Sequence, residues 1–169
     1  MINGLEELTE RITRETTKVA AKMTSLRRAI HASPEAGFSE QSTAARATEA
    51  LRPVGWDVQT GVAGTGVVAT LAGGLPGHVV ALRADMDALP ITETTGKPYA
   101  SQHLGLAHAC GHDGHVAMLV GAGLVLAAMR NELAGEIRLL FQPAEEVGAG
   151  ARTMIKAGAL GSPEPEAIF

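Results

Sequence analysis

Along the opening segment, Leu5, Leu8, Ile12, Val19, Met23, Leu26 and Ile30 recur three, four or seven positions apart with charged residues between them. That period predicts a long amphipathic helix. Pro34 and Gly37 in "HASPEAGFSE" break it, and Ser39 or Ser42 is placed to cap a second helix that runs through Ala45, Ala47, Ala50 and Leu51 and stops at Pro53 and Gly55. The period then changes. "WDVQTGV" and "GTGVVATLAG" alternate as strands joined by a glycine turn, and "HVVALRA" is a β-branched run of the kind buried in a sheet. Beyond a loop through Pro98 and Ser101, "HVAMLVGAGLVLAAMR" is apolar nearly all round and predicts a buried helix. "EIRLLFQP" reads as another strand and "GARTMIKAGAL" as a last helix, with Gly158 as its stop. Helices alternating with buried strands imply a layered α/β domain, with helices on both faces of a mixed or mostly parallel sheet. In such sheets ligands gather beyond the carboxyl ends of the strands.

Composition narrows the field. With 46% hydrophobic and 19% charged residues, the chain is that of an ordinary globular protein. A net charge of -4 provides no clustered Lys and Arg for nucleic acid or an anionic membrane, and both partners are set aside. No run approaches the roughly 18 apolar residues of a membrane helix. The acidic opening shows no export signal. A single cysteine makes no internal disulfide and fits a reducing cytoplasm.

Three clusters carry candidate chemistry. "RADMDALP" delivers Asp85 and Asp87 to the end of a strand, two apart and turned to one side by alternation, although aspartates ahead of a proline are equally ordinary turn chemistry. "HACGHDGH" gathers three of the six histidines, the only cysteine and an aspartate. There Cys110 and His112 form a borderline-soft pair suited to zinc or a neighbouring transition metal, and Gly111 and Gly114 let the backbone curl. Asp113 also stands where the N-cap of the following helix would fall. "FQPAEEVGAGA" places Glu145 and Glu146 directly after a strand. Adjacent side chains diverge, so one can bind metal while the other faces a water, and Gly148 and Gly150 leave room for substrate; an acidic first helical turn is the plain alternative. Two clusters at strand ends and one at a helix start can meet at one sheet edge.

In order and separation, "LRRAIHASPEAGFSE", "ALRADMDALPITETTGKPYAS", "HACGHDGHVAMLVGAG" and "FQPAEEVGAGARTMIKAGAL" resemble the amidohydrolase branch of metallopeptidase family twenty. That branch includes hippurate hydrolases, N-acyl-amino-acid amidohydrolases and hydrolases of indole-acetyl-amino-acid conjugates. The likeness runs from about Leu26 to Phe169. It implies a catalytic α/β domain with a smaller lid domain, and two divalent cations drawn from zinc, manganese, cobalt or nickel. It implies Cys110, His112 and Glu146 as metal ligands and Glu145 as general acid/base, with attack on the amide of an N-acyl amino acid by a metal-bound water. Asp87 would orient a ligand, and Asp85, Asp113 and His115 are supporting candidates; the role of His31 to Phe38 stays open. Members of the family are more than twice as long. The expectation is therefore that residues 1–169 are the N-terminal portion of a catalytic domain, without the lid, holding about half of the metal site and having little activity alone. A homo-oligomer is open for the full-length protein. Two rivals stand beside this reading: a cysteine hydrolase, with Cys110 as nucleophile and His108, His112 or His115 as base, and a non-catalytic metal-binding module.

Overall fold

The computed structural model describes residues 2–169, with side chains from Gly4 onward. The elements run α1 (Ile2–Ala32), α2 (Gln41–Leu51), β1 (Asp57–Val62), β2 (Gly66–Ala72), β3 (Leu75–Asp85), α3 (His112–Ala128), β4 (Ala134–Gln142), α4 (Gly150–Lys156) and β5 (Ala167–Ile168). One mixed sheet has the order β1-β2-β4-β3-β5. β1 and β2 form the expected antiparallel hairpin, and β2 pairs antiparallel with β4. β3 pairs parallel with both β4 and β5. The two-residue β5 lies in the closing "EPEAIF", which carries no strand period of its own.

Helices cover both sheet faces, unequally. α1, α2 and α3 pack one face through Ile30, Leu51, Val116 and Val120 against Val67, Leu71, Leu139 and Phe141. The other face carries only α4, whose Met154 meets Val62, Val68, Ala81 and Leu140. α3 approaches the sheet closely because Gly123 has no side chain: a Cβ there would lie 2.6 Å from Leu51 and 2.8 Å from Leu139. Its carbonyl accepts the Trp56 indole N–H at 3.0 Å, so the ring's one polar atom is satisfied inside the core. Among the described residues, no helix is long and apolar enough to cross a membrane.

Several sequence expectations are corrected. The apolar stripe of α1 is real, but Leu5, Leu8 and Ile12 are exposed, so only its second half joins the core. α3 is not buried on every side, since Met118 is 65% exposed. Neither Ser39 nor Ser42 caps α2. The N-cap is Glu40, which makes no side-chain capping bond. The Glu35 carboxylate instead accepts the Ser42 and Thr43 amides at 2.9 and 2.8 Å, satisfying two of the free N–H groups of the first turn. Asp113 does not cap α3 either: Gly111, at φ 93°, holds the N-cap, and the helix begins one turn earlier than the apolar run implies.

Candidate metal centre

The parallel pairing of β3 with β4 brings the first and third clusters together. Asp85 stands opposite Gln142 in the register, so the two chains leave the sheet side by side. From there "DMD" and "PAEE" run on toward the start of α3, which is the crossover between those two strands. His112, at the first turn of α3, is buried and sits between them.

The His112 imidazole is oriented by the Asp87 backbone carbonyl, 2.9 Å from Nδ1. A carbonyl only accepts, so Nδ1 carries the proton and Nε2 presents its lone pair. That lone pair faces Asp85 at 3.5 Å, Glu146 at 3.8 Å and Glu145 at 3.9 Å. Acceptor facing acceptor is repulsive unless a cation lies between them.

Asp87 is turned away from this focus and holds the third cluster in place. Its two carboxylate oxygens accept the Glu145 and Glu146 backbone N–H groups, each at 3.0 Å. Asp85 accepts from His115 Nδ1 at 2.7 Å and pairs with Arg83 at 2.7 Å. Burial works to raise the Asp85 carboxyl, but the His115 hydrogen bond, with the Arg83 guanidinium, outweighs it and holds the group below its ordinary range. Glu145 and Glu146 each bring one carboxylate oxygen within 4 Å of His112 Nε2 but differ in exposure, with side chains 42% and 18% exposed. Glu146 Oε1 is buried without a hydrogen-bond partner.

Donor atoms of Cys110, His112 and Glu146 lie within 4.8 Å of one another, and those of Asp85, His112 and His115 form a second such group. Thiolate, imidazole and carboxylate at this spacing suit zinc and its neighbours, whose bonds to such ligands are about 2.0–2.3 Å. The orphaned Glu146 oxygen and the unpaired His112 lone pair are what a cation would satisfy, so the residues fit a divalent ion. Partial desolvation, then Glu146, Glu145 and Asp85, push the Cys110 thiol above its ordinary range. A nucleophilic cysteine needs the opposite environment.

Asp113 and His115, two positions apart in sequence, are placed differently. His115 turns into the site toward Asp85, whereas Asp113 is buried against Arg27 (2.6 Å) and His31 (2.7 Å) and anchors α1 to the start of α3. His108 also stays outside the cluster, buried with both ring nitrogens unpartnered.

The "PAEE" turn has features that the sequence reading missed. Ala144 is fully buried at φ 52°, a left-handed conformation that costs a residue with a Cβ roughly 1–2 kcal/mol. Its N–H donates to Glu40 Oε1 at 2.8 Å, and its carbonyl accepts from Ala149 and Gly150. Gly150 is packed into this turn rather than opening space, whereas Gly148 does face open space and also supplies a backbone conformation the turn needs. Gly148 supplies φ 67°, and a Cβ on Gly150 would lie 1.5 Å from the Pro143 carbonyl oxygen. No local sequence period encodes the hold on the Ala144 N–H, since its partner Glu40 closes "HASPEAGFSE", about a hundred residues away.

The chain belongs to the peptidase family M20/M25/M40, whose model matches residues 81–169, more than half of it. It is 45% identical over 157 residues to thermostable carboxypeptidase 2 of Saccharolobus solfataricus, covering 91% of this chain and 40% of that protein. Against the N-acyl-L-amino acid amidohydrolase of Geobacillus stearothermophilus it is 45% identical over 152 residues, covering 89% and 41%. The crystal structure of the Bacillus subtilis YXEP protein, described as a dinuclear metal binding peptidase from the M20 family, superposes with a TM-score of 0.85 at 40% identity, over 90% of this chain and 42% of that one. The chain thus spans about 40% of the length of these relatives.

Proposed function

We propose that these residues are the N-terminal portion of a metal-dependent hydrolase that cleaves the amide bond of N-acyl amino acids or related small amides. One observation carries the reading: the Cys110, His112 and Glu146 donors converge within 4.8 Å beside a second, more exposed carboxylate on Glu145. The names of the relatives, a carboxypeptidase and an N-acyl-L-amino acid amidohydrolase, support amide chemistry on a small substrate. The dinuclear neighbour supports two cations, zinc, manganese, cobalt or nickel, with further ligands coming from the rest of the protein.

Cys110, His112 and Glu146 would hold one cation, and Asp85 with His115 would offer the start of a second position beside it, the one free His112 lone pair serving the first. When bound, a divalent cation lowers the pKa of water toward about 7 and polarises a carbonyl oxygen. The protein's own part is proton management and orientation. Glu145 takes the proton from the attacking water and returns it to the leaving amine, a role its outward-facing carboxylate can fill and that of Glu146 cannot. Asp87 keeps both carboxylates on station through their backbone amides. The Asp87 carbonyl fixes the His112 tautomer.

The test is Glu145→Gln in the full-length protein. It should keep metal content and substrate binding while lowering kcat by about 10²- to 10⁴-fold, the range of general acid-base catalysis. Equal loss of metal would make Glu145 a ligand instead. Chelation by EDTA should silence the enzyme, whereas a thiol hydrolase would survive it.

A further inference from the structure

Glu40 has a fully buried side chain and is the N-cap of α2, yet that side chain bonds to nothing in its own helix. Capping is done by Glu35. The Glu40 carboxylate reaches instead across the fold. Oε1 accepts the Ala144 N–H at 2.8 Å, and Oε2 accepts the Thr65 hydroxyl. Both oxygens are thus committed, one to the turn that presents Glu145 and Glu146, the other to the hairpin that fixes the carboxylate from behind.

The rest of "HASPEAGFSE" wraps the same place. The Glu35 carbonyl accepts the Ala88 N–H at 2.9 Å, one residue past Asp87. Gly37 lies so close to the turn that a Cβ there would come 3.1 Å from the Ala144 Cα and 3.3 Å from an Asp87 carboxylate oxygen. The segment therefore touches the Asp87 loop and the Ala144 turn together.

We propose that Glu40 is a positioning residue: its buried carboxylate holds Ala144 in the left-handed conformation that aims Glu145 and Glu146 at the metal cluster, with Thr65 and the Pro34–Phe38 loop as its backing. This rests on the function proposed above for Glu145 and Glu146. The physical logic is that a turn with an unfavourable φ at an alanine reverts to a relaxed conformation unless something holds its amide. A buried carboxylate is a strong acceptor for that amide. If Ala144 relaxes, the next two residues rotate with it, and their amides leave Asp87.

The test uses the full-length protein with four variants. Glu40→Ala should weaken Zn²⁺ affinity, read by chelator competition, about ten- to hundredfold, the value of a lost hydrogen bond to a charged group. Hydrolysis of an N-acetyl amino acid should lose kcat in similar proportion with little change in KM, because the substrate is not touched. Amide exchange across residues 144–148 should accelerate in the metal-free protein. Glu40→Gln keeps a carbonyl for Ala144 and a donor for Thr65, so it should restore both affinity and kcat to within about threefold of the parent, having lost only the charge assistance. Adding Ala144→Gly to Glu40→Ala should recover part of the loss, since glycine takes this φ without penalty. A merely structural Glu40 would lower Tm and leave metal affinity, the rescue by Gln and the suppression by Gly without this pattern.

Parent-like affinity and exchange in Glu40→Ala overturn the proposal, as does a Glu40→Gln variant as damaged as the alanine. Should Glu40→Ala fail to fold, Glu40→Asp decides: it keeps the charge but withdraws the acceptor from Ala144, and parent-like metal affinity there overturns the idea. A parent protein that binds no Zn²⁺ and hydrolyses nothing would sink the function proposed for the site. The exchange measurement would still judge the hold of Glu40 on Ala144.

Discussion

Replacing Asp87 with asparagine changes almost no volume and removes one acceptor. Each Asp87 oxygen takes one N–H, from Glu145 and Glu146, at 3.0 Å. Asparagine offers a single oxygen, so its amide nitrogen must face the other N–H, donor against donor. Losing a hydrogen bond to a charged acceptor costs about 1.5–3 kcal/mol, and stranding the facing donor costs about 1–3 kcal/mol. The low end of each range applies because the two amides are only part-buried, giving about 2.5 kcal/mol, roughly 70-fold in any equilibrium that requires the turn to be in place. The 2.9 Å bond from His112 Nδ1 goes to the Asp87 backbone carbonyl and survives, so the imidazole keeps its tautomer; the carboxylate also lies 3.4 Å from that nitrogen, but the main loss falls on the carboxylate turn. Two measurements separate the effect: urea unfolding of the metal-free protein, and Zn²⁺ affinity by competition with a chromophoric chelator. Asp87→Asn should lower affinity by about the computed factor while the unfolding midpoint moves by the same energy or less. An affinity within twofold of the parent, with an unchanged midpoint, would refute the view that Asp87 holds the turn.

Three further outcomes follow from the same geometry. Gly150→Ala sets a Cβ 1.5 Å from the Pro143 carbonyl oxygen and should cost about 3 kcal/mol or more in denaturant unfolding. Gly148→Ala meets no neighbour within 4 Å and violates only its φ of 67°, so it should cost about 1 kcal/mol; equal costs for the two would be wrong. Burial holds the His108 ring down to about 4, so the native form stays neutral where the unfolded chain takes a proton. Its contribution to stability is therefore full above the ordinary histidine value and is lost as pH falls from there toward about 4; an NMR titration of His108 with a midpoint near 6.5 would contradict this. Because desolvation and the neighbouring carboxylates raise the Cys110 thiol, alkylation of the metal-free protein by iodoacetamide should be slow at neutral pH and accelerate as pH rises. Fast reaction at pH 7 would revive the cysteine-hydrolase reading.

The order of elements was legible because the sequence period changes along the chain: three to four along α1, two along β1 and β2. The meeting of the clusters was legible for a topological reason, since parallel strands joined by a helix place both their carboxyl ends beside that helix's start. Legibility failed where a local signal competed with a distant partner. Ser39 and Ser42 are good caps by type, yet Glu35 does the capping from the preceding loop. Asp113 has cap chemistry but is drawn into the core by Arg27 and His31. Gly150 reads as open space because sequence shows that a side chain is missing, not that the Pro143 carbonyl occupies its place. Glu40 gave no signal at all: a glutamate beside a helix start looks solvated until a partner some hundred residues later is known.

The pairing of β3 with β4 also bears on biosynthesis. Contacts between residues this far apart form late, after the intervening chain has closed its loop. A nascent polypeptide that has emerged only as far as α3 displays the Cys110 thiol and the His112 ring with no glutamate to complete a grip. The three donors therefore come together only once the central strands have paired.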